Sequence, residues 1–213
     1  MSILRPQKIL FSNLRIIDDL LNEIREGKEL DNISIENYRG ENIEFTDVKI
    51  DKAIITNTEM INGNLENNTF IDVIFNNCNF SNTSFENSGF IRCEFNNCKL
   101  TGCNFVESRI YNVSFIESNI NYANFSIASI ENVLFNNSSL RNSSFQENKF
   151  KNIIFRQADL IQVQFFKTSL KGIDFSDSII EGIAVSIEDI KGASINEFQA
   201  VDLLYLLGVK IKE

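Results

Sequence analysis

The residues able to do chemistry in this sequence are four cysteines and a surplus of carboxylates. Cys78, Cys93, Cys98 and Cys103 could serve as nucleophiles, metal thiolates or disulfide partners. The chain contains no histidine, so imidazole-based metal sites and Ser-His or Cys-His catalytic pairs are excluded. The nine glycines are scattered and form no phosphate-binding loop. There are 29 Asp and Glu against 20 Lys and Arg, a net charge of −9 and a pI of about 4.7. That balance argues against non-specific binding to nucleic acid or anionic membrane, and points to basic partners or to solubility alone.

The elements that must position these residues follow a period of five. A large apolar residue stands at every position divisible by five from Phe70 to Phe175. The register extends back through Leu65, Met60, Ile55 and Ile50 to Phe45, and forward through Ile180 and Val185 to Ile190. Of the 19 phenylalanines, 16 lie in this register, so the spacing is structural. Five is neither the helical nor the strand period, and the unit is therefore one that stacks. Each cysteine falls two residues before a multiple of five, the slot that elsewhere carries Ala123, Ala128, Ala158, Ser118 or Val133. In that slot a thiol acts as a small buried hydrophobe.

Around the large residue the pattern is a small or branched residue two before, a polar residue just before and often Asn two after. Cys78-Asn79-Phe80, Ala123-Asn124-Phe125, Ala158-Asp159-Leu160 and Ile173-Asp174-Phe175 show it. In these residues the chain resembles the pentapeptide-repeat proteins, over roughly residues 43 to 192 and thirty consecutive repeats. The resemblance implies an all-β solenoid, a right-handed quadrilateral β-helix with four pentapeptides per coil. In such a coil Cys78 and Cys98 are stacked neighbours, near enough for a disulfide by distance, although a cytosolic setting favours the reduced, buried form.

Residues twenty apart then share a face. Phe75, Phe95, Phe115, Phe135, Phe155 and Phe175 make one ladder, and Phe85, Phe105, Phe125, Phe145 and Phe165 make another on the opposite side. The two are expected to meet across the shaft. Asn68 and Asn148 occupy small inward slots, where bonding to turn carbonyls of adjacent coils is the expected role.

Three segments result: an N-terminal capping helix in 1–29, the β-helix in 30–192, and a C-terminal helix in 193–213. Ser12 is the expected N-cap of the first helix, Leu14, Ile17, Leu21 and Ile24 its stripe, and Gly27 its left-handed C-terminus. Gly40 stands where a large residue should be. At the other end Ser194 and Glu197 have capping-box spacing, and the helix they start is apolar nearly all round before Gly208. Burial on both sides asks for the last coil and a second copy of the chain, with Phe198, Val201, Leu203, Leu204 and Leu207 as the candidate dimer interface.

Ile195-Asn-Glu-Phe198-Gln199-Ala200, then Leu203-Leu204 and Leu207-Gly208-Val209, also resemble the C-terminal segment of quinolone-resistance (Qnr-type) pentapeptide proteins. That group dimerises through this segment, and its rod imitates duplex DNA toward a type II topoisomerase. Unlike many of its members, this sequence has no loop insertions between repeats.

Charge is unevenly spread over the faces. The Phe85 face carries Glu44, Asp47, Glu66, Glu86, Glu107 and Glu147 against Lys167 alone; the next face has eight bases against five acids. The acidic six extend over about 24 Å, where duplex DNA carries roughly fourteen phosphates. Six carboxylates are under half of that, and it is chiefly the resemblance that implies the expected function: a non-enzymatic DNA mimic that binds the DNA-receiving saddle of gyrase or topoisomerase IV, the alternative being an interaction scaffold for an unrelated partner. No cofactor, direct nucleic-acid contact or membrane contact is expected. The first residues lack the apolar core of a signal peptide, and the expected compartment is the cytoplasm.

Overall fold

The computed structural model describes residues 3–6, 9 and 14–210. Its body is a parallel β-solenoid of about seven turns, in which each residue lies beside the one twenty further along. Arg15–Ile16 (β1) opens the main sheet and pairs with Glu29–Glu36 (β2). Arg39–Glu41 (β3) lies on another face, outside that sheet. Lys49–Thr56 (β4) then pairs with β2, and Glu59–Ile61 (β5) with β3. Thr69–Asn76 (β6) carries the main sheet on to Gly89–Ile91 (β7) and Glu94–Asn96 (β8). Arg109–Ile116 (β9), Ser129–Asn136 (β10) and Lys149–Arg156 (β11) follow, with Phe115 beside Phe135 and Phe135 beside Phe155. The eight-residue strands bend across the corner between two faces. The other two faces are linked mainly by single bridges, such as Asn64 to Ser84 and Ser84 to Asn104.

The corners explain the recurrent Asn. Every second residue after the multiple of five, from Asn32 to Gly172, has φ between +48° and +80°. Asn tolerates this left-handed conformation better than most side chains, and stacked amides offset its cost further by bonding along the rod. Asn97 Nδ2 donates to Asn77 Oδ1 at 2.8 Å, and Asn87 Nδ2 to Asn67 Oδ1 at 2.7 Å.

Inside the shaft the two phenylalanine ladders form as expected. Phe75, Phe95, Phe115 and Phe135 stack at 4.4–5.0 Å between ring centroids. Phe105, Phe125 and Phe145 stack at 4.7 Å, and Phe125 meets Phe115 and Phe135 edge-on at 6.4 and 6.3 Å. Polar residues in the small slots staple successive coils. Ser118 Oγ accepts the Cys98 N–H at 3.0 Å and donates to the Phe95 carbonyl at 3.2 Å. Gly40 leaves no hole, because Tyr38 and Ile43 close over it and a Cβ there would lie 2.5 Å from Ile43 Cγ2.

Both ends depart from the sequence reading. The first helix (α1) is Leu20–Glu26, capped by Asp19, whose carboxylate accepts the Asn22 N–H at 3.1 Å. The expected cap, Ser12, lies outside the described residues. Because β1 is a strand, Leu14 and Ile17 precede the helix. Gly27 is extended, with φ −157°; the chain leaves α1 directly into β2, and no left-handed turn is needed. Leu20 and Ile24 still seal the shaft end.

The repeat closes with a one-turn helix, Ile187–Ile190 (α2), where a fifth-residue side was expected. Ser194 does not cap the last helix: it bridges to Asp174 in the final coil. The reciprocal box is instead Asn196 and Gln199. Gln199 N donates to Asn196 Oδ1 at 3.0 Å, and Asn196 N donates to Gln199 Oε1 at 2.9 Å. The last helix (α3) is then short, Gln199–Leu203, and tightens into a 3₁₀ turn over Leu204–Leu207 that ends on the left-handed Gly208.

Candidate interaction surface

The thiols are the first candidates the structure removes from chemistry. All four cysteines are free and at most 2% exposed, each donating to a carbonyl of the coil before, as Cys103 does to Phe80 at 2.9 Å. Burial pushes the Cys93 thiol up to about 12 and the Cys103 thiol higher still. Cys98, held by its hydrogen bond to Cys78 and then by burial, is also pushed up. A buried thiol that resists ionisation is a poor nucleophile and a poor ligand. Among the described residues no three His, Cys, Asp or Glu side chains are grouped to hold a metal, and no helix is long and apolar enough to cross a membrane.

The outward surface carries the remaining candidates. Glu44 and Asp47 are exposed at the N-terminal end of the Phe85 face. Glu66 accepts from Ser84 Oγ at 2.8 Å, and Glu86 from Asn104 Nδ2 at 3.0 Å. Each carboxylate is thereby tied to the next coil and held close to the face. Glu107 is exposed on a corner. These five occupy four consecutive coils. Glu147 is set apart by the coil of Ile127 and is ion-paired to Lys167 at 2.7 Å; among the described residues it alone of the six is so neutralised.

The neighbouring basic face behaves differently. Arg92 forks onto the buried Asp72 with two bonds of 2.7 Å, which raises the already high pKa of the guanidinium. Lys49, Lys52, Lys151 and Lys191 also reach carboxylates. The bases on that face are largely cancelled by interleaved acids, whereas the acidic stripe keeps its charge.

The C-terminal candidates divide by side. Phe198 is 79%, Val201 54% and Leu207 66% exposed, and Tyr205 and Val209 join them on the surface. Leu203 and Leu206 turn inward against the core, and Leu204 is half-buried. Gln199 plugs the shaft end, donating through Nε2 to the carbonyls of Phe175 and Ser178 at 2.8 and 2.6 Å. Tyr205 Oη donates to the Ile183 carbonyl. Neither contact was foreseen in the sequence. The Asn-x-x-Gln spacing of 196 and 199 was the available signal for the first.

A coil of four five-residue sides, with large and small inward slots and left-handed corners, defines a class of protein. Residues 68–145 and 88–165 match the family model described as pentapeptide repeat region. Residues 68–165 thus carry the sequence signature of pentapeptide repeats. HetL, a pentapeptide-repeat protein involved in heterocyst differentiation regulation from the cyanobacterium Nostoc, superposes with a TM-score of 0.62 at 15% identity. The alignment covers 84% of this chain and 94% of HetL, and shows a shared fold. QnrB1, a plasmid-mediated fluoroquinolone resistance protein, aligns over 85% of this chain and 99% of its own, at 16% identity and a TM-score of 0.44. No curated protein matches in sequence.

Proposed function

We propose that the protein is a non-enzymatic, cytoplasmic binding module that presents its acidic face to a basic protein surface, the DNA-receiving saddle of gyrase or topoisomerase IV being the first such surface to test. The observation that carries this reading is the run of Asp47, Glu66, Glu86 and Glu107 over consecutive coils, without an ion-pairing base among the described residues. Coils spaced by about 4.8 Å place these charges at successive steps along one side of the rod, Glu66 and Glu86 on the face and Asp47 and Glu107 at its corner, an arrangement a groove built for a phosphate backbone can accept. The topoisomerase itself enters through the Qnr-like C-terminal segment, and the exposed Phe198, Val201 and Leu207 would lengthen the rod by joining two copies.

A second reading, a scaffold for a different basic partner, is favoured by the charge density, which is under half that of DNA over the same length. Gyrase supercoiling with the protein titrated in, with and without a fluoroquinolone, separates them. Inhibition or drug protection that disappears in Glu66→Lys/Glu86→Lys/Glu107→Lys supports the first. No effect at large excess removes the topoisomerase and leaves the scaffold.

A further inference from the structure

We propose that the outer side of the Phe115 face is a binding groove for an extended peptide, and that the N-terminal segment sits in it as a displaceable occupant. This surface is separate from the acidic stripe and does not depend on its reading. Residues 3–6 lie against the outside of the rod. Ile9 is 8% exposed, the Leu4 N–H donates to Asn112 Oδ1 at 3.4 Å, and Arg5 Nε approaches Glu94 Oε1 at 3.9 Å. Beneath lie the outward apolar side chains of Ile116, Leu134 and Ile154, flanked by Ser114 and Arg156.

Three features show that this segment fills the groove incompletely. A cavity of about 190 Å³ stays open between Ile3, Arg5 and the apolar floor. Asn112 is 2% exposed, yet its Nδ2 has no hydrogen-bond partner. Further along the same column, Asn132 and Asn152 are less buried and bond to each other at 2.9 Å. Lastly, the polar anchors are weak: a hydrogen bond at the limit of length, and an ion pair whose arginine side chain is 85% exposed.

An asparagine amide offers one acceptor and a donor pair, the complement of the N–H and C=O of a peptide. Leu4 uses the acceptor and leaves the donor orphaned, which deprives the complex with the chain's own segment of a buried hydrogen bond. A better occupant is therefore an extended peptide with a carbonyl over Asn112 Nδ2, apolar side chains facing Ile116, Leu134 and Ile154, and a basic residue at Glu94. Such a peptide has to displace the segment that carries Leu4, Arg5 and Ile9, so that segment also sets the threshold for binding.

The test uses the full-length chain and a fluorescein-labelled peptide of residues 1–12. Ile9→Asp should free the segment and bind the peptide at least 10-fold more tightly than the wild type, with an unchanged circular dichroism spectrum. Arg5→Glu, at a side chain too exposed to disturb folding, should shift affinity the same way. Adding Asn112→Gly, which keeps the left-handed corner but removes the acceptor that the Leu4 N–H uses, or Leu134→Lys should each weaken binding at least 10-fold. The proposal is overturned if folded Ile9→Asp binds no better than wild type, or if neither groove substitution matters. Concentration-dependent self-association of Ile9→Asp that the peptide does not reverse would also overturn it, and would assign the face to a second copy of the chain.

Discussion

Asn68 accepts the Val48 N–H through Oδ1 at 2.8 Å, one coil away inside the shaft. Its Nδ2 donates to the Phe45 and Leu65 carbonyls at 3.0 and 2.9 Å, so the buried amide is fully used. Asn148, in the same column, reaches Phe125 at 2.9 Å through Nδ2 but leaves Oδ1 without a partner. Asn68→Ala should cost about 2–4 kcal/mol, since it orphans a buried amide and opens a cavity. Asn148→Ser, which removes an unpaired acceptor, should cost less than about 1 kcal/mol or stabilise. Urea denaturation midpoints at constant m compare the two.

Phe115 stacks between Phe95 and Phe135 at 4.9 and 5.0 Å and is 1% exposed. Truncation to alanine should lower stability by about 3–5 kcal/mol, because neither neighbour can close the gap without leaving its own stack. An unchanged denaturation midpoint would contradict a closed shaft.

The shaft was legible from sequence because a single side-chain slot, repeated every five residues, has one solution: face inward. The polar staples were half legible. Asn68 could be placed in the core, but which of its atoms would be satisfied depends on turn carbonyls that no residue type encodes. The ends were read less well. Tertiary pairing made a strand of Arg15–Ile16 where helical spacing of apolar residues suggested a longer α1. The capping box moved from Ser194 to Asn196 because the last coil still needed Ser194 for its bridge. The acidic stripe was visible as a count of charges. That Glu66 and Glu86 are tethered while Glu147 is neutralised follows from neighbours about one coil away.

The buried Cys93 thiol makes stability fall at alkaline pH. Cys93 titrates at about 12 in the fold against about 9 when exposed, so the folded state holds its proton more tightly. That contribution is complete below pH 9 and is lost as the pH rises through 12. It should remove about 1 kcal/mol by about pH 10. Cys93→Val, matching Val73 and Val113 in the same column, should flatten this part of the stability–pH curve. Thiol reagents at about pH 8, below the ordinary thiol range, should label none of the four cysteines until denaturant is added.

The exposed Phe198, Val201 and Leu207 predict a twofold dimer through the C-terminal end. Light scattering should give twice the chain mass of 24.4 kDa, and Leu207→Asp should return the monomer with an unchanged melting temperature. Leu203→Asp, on the inward side of the same turn, should instead lower the melting temperature, because it charges a residue packed on the core. A monomeric wild type would leave the exposed three as a surface for another protein.

Ile127 provides the most direct check on the corners. It adopts φ +62° in a slot where the chain most often places Asn, and 55% of it faces water. A β-branched side chain in the left-handed region is strained by roughly 1–2 kcal/mol, and this one recovers little by burial. Ile127→Asn should therefore stabilise the protein by about 1 kcal/mol, the reverse of most substitutions in a repeat. The corners stacked directly above and below hold Glu107 and Glu147, not asparagines, so the new amide joins no asparagine ladder and the effect isolates backbone strain. If Ile127→Asn instead destabilises, the exposed isoleucine must be making contacts that the single rod does not contain.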